Sequence, residues 1–411
     1  MKKEKKILAT LLALSLTAYS SPLGNTTLNA AGTSSEGLSP CIRSDVNKAK
    51  FTHNEWTGKD YTDANGNNVT GEDVFAINRE EASLTIIPYQ DVASAASAVW
   101  DYNARENSSY MQMLTGEGQD WQLTVVQNQE AAQPYMKSGF MNPDYSTSSN
   151  PGWKTVSMPG NWTCQGFDFP IYANVIMPWQ SKYDAVVNVP EAPVNYNPVG
   201  LYRKTFTASP QMTQDNRRVY IHFEGVESAY YVYVNGKEVG YSEDSFSPHH
   251  FDITDYLTSG ENTLAVKVHK FCDGTWFEGQ DMIYDGGIFR DVFLTSEPLV
   301  KIADYTVKTD LDSNFNNATL SISADIKNNS TADQSGWSIR ADILDESGNN
   351  LVPSATIPVD SVSSGKSSAF SSDISVTSPK LWSAENPNLY ALVLTLIDGQ
   401  GKEVETVSSK L

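Results

Sequence analysis

From about residue 150 onward, apolar and polar positions alternate in short runs broken by Gly, Asn, Asp, Ser and Pro. In "RVYIHFEG", Val219, Ile221 and Phe223 fall on one face and Arg218, Tyr220 and His222 on the other, the period-two pattern of a strand with one covered face. "GLYRKTFTA", "AYYVYVNG", "KEVGYSE", "HFDITDYL", "NTLAVKVHKF" and "IFRDVFLTS" have the same character. In "VNGKEV", the Asn235–Gly236 pair suits a tight hairpin, because both residue types tolerate positive φ. Many short strands punctuated in this way predict a jelly-roll β-sandwich over residues 75–297. Pro298, which cannot continue a central ladder, marks a boundary near "LTSEPLVKI". Beyond it, "ATLSISADIKN", "WSIRADILDESGNN" and "NLYALVLTLIDGQG" continue the alternation. About six or seven such strands in roughly 110 residues predict an immunoglobulin-like sandwich over 298–411, with no cysteine pair to pin it. The fold class is therefore all-β, a jelly roll followed by an immunoglobulin-like sandwich.

Upstream the pattern changes. "DVASAASAVWDYNAR" is Ala-rich and free of proline, which predicts a short helix. "DANGNNVTGED" has the acids of a calcium loop, but Asn68 stands where that loop needs Gly and Val74 where it needs Glu, so it reads as a turn. The chain opens with the basic "MKKEKK" and the apolar "ILATLLALSLTAY", too short to span a bilayer, followed by small residues at "LNAAG". Residues 1–31 are expected to be a signal peptide cleaved near Ala30 or Ala31, with a retained anchor as the alternative. Residues 32–74 begin with a stretch rich in Ser, Thr, Asn, Gly and Ala and are expected to form a flexible leader. About 380 residues would remain, enough for two or three domains. The expected location is secreted or at the cell surface, with no membrane span after processing.

The net charge of −20 argues against nucleic acid as a partner, since phosphates would be repelled. Cys41, Cys164 and Cys272 are widely spaced and form neither a disulfide framework nor a zinc motif. The sequence contains no GxSxG elbow, HExxH, Walker loop or strand-associated GxGxxG. His249 and His250 lack ligand spacing and read as structural or solvent-facing.

"FCDGTWFEGQDMIYDGGIFRDV", residues 271–292, places Asp273, Glu278, Asp281, Asp285 and Asp291 among Phe271, Trp276, Phe277, Tyr284 and Phe289. Carboxylates grip sugar hydroxyls, and aromatic rings cover sugar C–H faces. A sandwich-end loop with aromatic anchors would carry the same composition. "MPGNWTCQGFDFPIYANVIMPW", residues 158–179, repeats the mixture within a Pro- and Gly-rich loop, which favours function over filler.

At these residues the chain resembles a known family. "GNWTCQGFDFPIYANVIMP", "NPVGLYRKTF", "FEGVESAYYVYVNGKEVGYSEDSFSPHHFDIT", "GENTLAVKVHKFCDGTWFEGQDM" and "GGIFRDV" together resemble the sugar-binding domain of glycoside hydrolase family 2, most closely the bacterial β-galactosidases. "SPKLWSAENPNLYALVLTL" is similar to the end of the immunoglobulin-like domain of those enzymes. The resemblance implies that Asp281 of the Q-D-M motif contacts galactose hydroxyls and a sodium ion, and that Asn174 of Y-x-N-V is a second galactose contact. Trp162, Tyr172, Trp179 and Trp276 are weaker candidates for lining the site, each weighed against core packing. Ile283, Tyr284 and Asp285 depart from the commonest pattern after the aspartate, which bears on aglycone preference.

The resemblance also implies that the chemistry lies elsewhere. In this family the acid/base and nucleophile glutamates, roughly 5 Å apart in a retaining mechanism, sit on a following (β/α)₈ barrel. That barrel would also hold any magnesium. The chain as given stops at Leu411, so no catalytic residue is expected in it. Glu278 with Asp281 is a poor substitute pair, because a loop gives no rigid support for that separation. The expected substrate is a β-galactoside or oligosaccharide. A β-glucuronidase or β-mannosidase specificity and a non-catalytic secreted glycan-binding module stay open as alternatives, as does oligomeric state.

Overall fold

A computed structural model describes residues 51–63, 66–180 and 187–411. The expected signal peptide, the first part of the leader and Cys41 lie outside the described residues. The chain folds into two antiparallel β-sandwiches.

In the first, a seven-stranded sheet has the spatial order Ala76–Ile77, Lys237–Ser242, Ala229–Val234, Glu261–His269, Val199–Thr207, Trp121–Val126 and Lys154–Val156. It packs on a four-stranded sheet of order His249–Asp252, Arg218–Phe223, Val292–Glu297 and Met111–Met113. Between them Tyr230, Val232, Leu264 and Val266 meet Val219, Ile221, Phe223 and Leu294, which is the face the alternation predicted. The hairpin at Asn235 and Gly236 has φ values of 52° and 79°, the left-handed backbone that these residues supply.

Both outer faces are buried as well, and this explains runs such as "AYYVYV" in which no position is plainly polar. Behind the larger sheet, Ala229, Tyr231, Tyr233 and Ala265 pack against Phe51, Trp56, Ala132 and Phe140. Residues 51–62, expected to belong to a flexible leader, are thus part of the fold. The apolar side chains of Phe51 and Trp56 have a hydrophobic face to bury, and Trp56 stacks on His269 at 4.5 Å. Glu55, also buried, accepts a hydrogen bond from Tyr231 Oη at 2.6 Å.

Behind the smaller sheet, Tyr220 and His222, expected on a polar face, are buried. His222 stacks between Phe293 and His250, and Lys301 Nζ sits 4.3 Å from the Tyr220 ring. His249 and His250 are structural: burial, which disfavours the charged imidazolium, lowers them to about 4 and about 3.

The second sandwich pairs a three-stranded sheet (Val300–Leu311, Asn317–Asn328, Ser367–Thr377) with a four-stranded one of order Ala355–Pro358, Ser338–Leu344, Ala391–Ile397 and Glu403–Lys410. Ile322, Ile326, Ile339, Leu394 and Leu396 lie in its core with Tyr305, and this apolar packing holds the sheets together. The Ala-rich helix forms over Val92–Trp100, capped by Asp91, which accepts from Ser94 N at 2.7 Å. Although it lies in sequence among the elements of the first sandwich, its Ala95, Ala96 and Val99 pack on Leu344, Ala391 and Val393 of the second. Small side chains allow that close approach. No helix among the described residues is long and apolar enough to cross a membrane.

If residues 51–62 belong to the fold, Trp56→Ala should lower the unfolding free energy of the first sandwich by about 3 kcal/mol. Urea titration followed by tryptophan fluorescence checks this, and a loss below about 0.5 kcal/mol would return the segment to leader status.

Candidate functional site

The two acid-and-aromatic stretches meet through one short ladder. Strand Ile171–Ala173 runs antiparallel to Met282–Tyr284, with Met282 opposite Ala173, Ile283 opposite Tyr172 and Tyr284 opposite Ile171. Because side chains alternate across a strand, the pairing sorts both stretches into two faces. Ile171, Ala173, Met282 and Tyr284 turn inward onto Trp179, Tyr196 and Phe271. Tyr172 and Ile283 turn outward and are exposed, at 65% and 54%.

Asn174 and Asp281, the residues flanking this ladder at one end, are exposed on the same outward side. Tyr172 joins them, since its hydroxyl donates to Asp281 Oδ1 at 2.6 Å and also bonds the Asn174 side chain. The hydrogen bond to Asp281 is the main cause of a raised Tyr172 pKa. The fold therefore assembles Asp281, Asn174 and Tyr172 into one polar group. Val175, Ile176, Phe277 and Phe246 are also solvent-exposed and come from the same loops or the neighbouring 244–247 turn.

The remaining candidates divide. Trp162 and Trp179 are fully buried and offer no ring to a ligand. Trp179 packs edge-on to Phe271 and Trp276 at 5.2 and 5.3 Å. Trp162 fills a slot that exists only because Gly200 and Gly286 lack side chains; a Cβ at either would lie 2.5 or 2.4 Å from its ring. Trp276 is partly buried, and its indole N–H donates to the Glu191 carbonyl at 2.8 Å. These three tryptophans support the loops from beneath, and Tyr172 alone of the four aromatics lies on the polar face. Glu278 is an anchor: its carboxylate accepts from Ser245 N and Oγ, both at 2.7 Å.

Several supporting residues escape a reading of the sequence. Asp285 crosslinks the two stretches, accepting from Asn161 Nδ2 at 3.1 Å and from the Thr163 hydroxyl. Lys270, fully buried, pairs with Asp168 at 2.7 Å. Glu227 is buried and accepts from Gly286 N at 2.9 Å, holding the turn after the ladder. The only sequence signal for this turn is Gly286–Gly287, both at positive φ. Burial, opposed by the hydrogen bond from Gly286, pushes the Glu227 carboxyl up to about 7.

The frame is all-β: two sandwiches, the first presenting a carboxylate, an amide and a phenol beside exposed apolar side chains. Residues 117–298 match the family description "Glycosyl hydrolases family 2, sugar binding domain", and residues 300–411 match "Glycosyl hydrolases family 2". The chain belongs to glycoside hydrolase family 2, of which it carries the N-terminal sugar-binding and immunoglobulin-like domains. It is 40% identical over 339 residues to a β-galactosidase of Priestia megaterium, covering 82% of this chain and 31% of that protein. It is 38% identical over 256 residues to a β-galactosidase of Clostridium acetobutylicum, covering 62% of this chain and 27% of that protein. The chain thus spans less than a third of the length of these curated relatives.

Among solved structures, Bacteroides uniformis β-glucuronidase 2, covalently bound to cyclophellitol-6-carboxylate aziridine, superposes with a TM-score of 0.55 at 20% identity. It covers 73% of this chain and 32% of that one. A putative β-galactosidase from Bacteroides fragilis gives 0.51 at 21% identity, covering 74% and 41%. At these identities the likeness concerns the fold.

The Glu227 shift has a testable sign. The folded protein holds this proton up to about pH 7, whereas an ordinary glutamate releases it near 4.5. The stability contributed by the neutral form is fully present below pH 4.5 and is lost as the pH rises through 7. Glu227→Gln, which keeps an acceptor for Gly286 N, should therefore raise stability at pH 8 by about 2 kcal/mol and change little at pH 4. Thermal unfolding of both proteins at the two pH values measures the difference.

Proposed function

We propose that this chain is the N-terminal part of an exported β-galactosidase that hydrolyses terminal, non-reducing β-galactosides with retention. The observation that carries this reading is the Tyr172–Asp281–Asn174 group on an exposed face. A carboxylate accepts hydroxyl hydrogen bonds, an amide donates and accepts, and the phenol fixes the carboxylate's orientation. The β-galactosidase names of the sequence relatives support the choice of sugar.

Asp281 also suits the sodium ion that the resemblance implies. Tyr172 occupies Oδ1, and the carboxylate's charge would offset that of the cation. Asp281 would then hold the ion together with ligands from the sugar or from a following domain. Magnesium, which the resemblance also implies, would belong to the barrel. The bond-breaking carboxylates are assigned to that barrel too, because Glu278 is committed to Ser245.

The β-glucuronidases among the structural neighbours raise a second reading, a different glycoside on the same frame. A uronic acid would bring a carboxylate towards Asp281, a like-charge contact that a neutral galactoside avoids.

In the enzyme that includes a following barrel, Asp281→Asn should lower kcat/KM for a chromogenic β-galactoside by on the order of tenfold to several hundredfold, from bonds worth about 1.5–3 kcal/mol each. Melting temperature should barely change. Full activity in this variant, or a preference for the glucuronide over the galactoside, would overturn the assignment. Residues 32–411 alone, purified from a galactosidase-free host, should show no turnover of the same substrate.

A further inference from the structure

A cavity of about 390 Å³ opens between the two sandwiches. Its lining comes from four places: the segment through Thr85 and Tyr89, the helix Val92–Trp100 with the 3₁₀ turn Tyr102–Asn107 behind it, Glu224 just past strand Arg218–Phe223, and the end of strand Glu403–Lys410. The volume is that of a small-molecule site. Ile87, Ala98 and Val99 make part of the lining apolar. Tyr102, which is 64% exposed, leaves one aromatic ring open to solvent there.

Two charged side chains in this lining are fixed in place and yet keep hydrogen-bonding capacity unused. The Arg105 guanidinium lies 4.0 Å over the Tyr102 ring. It donates to the Tyr102 hydroxyl through Nη1 and pairs with Asp291 through Nη2 at 2.6 Å. Its Nε has no hydrogen-bond partner, although Arg105 is only 7% exposed. Glu224 accepts from the Thr85 hydroxyl at 3.3 Å through Oε1, and its Oε2 accepts nothing from the described residues. A crevice that served packing alone would gain nothing from such groups, because a polar atom left without a partner costs stability. The charges also balance. Asp291 offsets Arg105, while Lys410 and Glu224 contribute one charge of each sign. An anion would find no net attraction in this lining.

We propose that this cavity is a second carbohydrate site, which holds a neutral mono- or disaccharide without cleaving it. A guanidinium donates to hydroxyls and a carboxylate accepts from them, so together they suit the adjacent hydroxyls of a sugar ring. The Tyr102 ring offers a surface for the ring's C–H face, and the apolar lining keeps water from competing. Burial pushes the Tyr89 phenol up to about 12, so it stays a donor at neutral pH. Glu224 is the one carboxylate in the lining, and glycoside cleavage takes two. None of these residues belongs to the Tyr172–Asp281–Asn174 group, so the proposal does not rest on the role given to that face.

The test uses the full chain, titrated by calorimetry with lactose, cellobiose and maltose, as wild type and as Asp281→Asn. The Asp281→Asn protein should still bind one equivalent of at least one of these sugars, with a Kd on the order of 1 mM. Ala98→Phe, which fills the cavity and removes no charge, should weaken that binding by at least about tenfold, as should Glu224→Ala. Tyr102→Ala changes an exposed side chain and should weaken it by about fivefold with the fold intact. Glucuronate should bind no more tightly than the neutral sugars. If it binds tenfold more tightly, the cavity is an anion site and the proposal fails. It fails equally if the Asp281→Asn protein binds none of the three sugars, or if Ala98→Phe and Tyr102→Ala both bind like their parent. Sugar binding that Asp281→Asn abolishes and Ala98→Phe preserves would leave the Asp281 face as the sugar site and overturn this one alone.

Discussion

The short ladder between Ile171–Ala173 and Met282–Tyr284 is the constraint on which the site depends. It joins two stretches more than a hundred residues apart and fixes their register. Register then fixes which side chains see solvent, since a one-residue slip would exchange the faces. In the observed register the aromatic and aliphatic side chains of both stretches form an inner cluster, and Asp281, Asn174 and Tyr172 are left together outside. Two strands of three residues each would be a weak clasp alone. Asp285 bridging to Asn161 and Thr163, the Lys270–Asp168 pair and Glu227 on the Gly286 amide brace it from below.

The acids crowded among aromatics in residues 271–292 therefore have separate roles. Glu278 anchors the Ser245 turn, Asp285 crosslinks two loops, and Asp291 pairs with Arg105 at 2.6 Å. Asp273 is buried beside Glu243 and Cys272, with Oδ1 unpartnered. Asp281 alone carries its carboxylate to the exposed face beside Asn174. A buried carboxylate needs a partner, and each of these positions either has one or is distinguished by lacking it.

The same logic joins the two sandwiches. Lys301 pairs with Glu297 and covers Tyr220, Lys327 pairs with Glu80 at 3.0 Å, and Glu405 accepts from Ile302 N at 2.7 Å. With the helix Val92–Trp100 lying on the second sandwich, the junction is a packed and charged seam and not a bare linker.

Alternation along the chain was enough to place the strands, because period two survives in any strand with one buried face. The Asn235–Gly236 hairpin and the Ala-rich helix were legible for equally local reasons: positive φ and helix propensity belong to the residues themselves. Asp281 and Asn174 stand out through motif resemblance, and the fold brings both to the Tyr172 hydroxyl. Burial on both sides of a sheet was not legible, since Tyr220 and His222 read as polar until a second layer covers them. Nor could the sequence separate Tyr172 from Trp162 and Trp179, all aromatic and all in one loop. Register against Met282–Tyr284 turns Tyr172 outward, while the slot beside Gly200 and Gly286 takes Trp162 in. Those outcomes depend on which distant backbone arrives alongside, a property that only the tertiary structure decides.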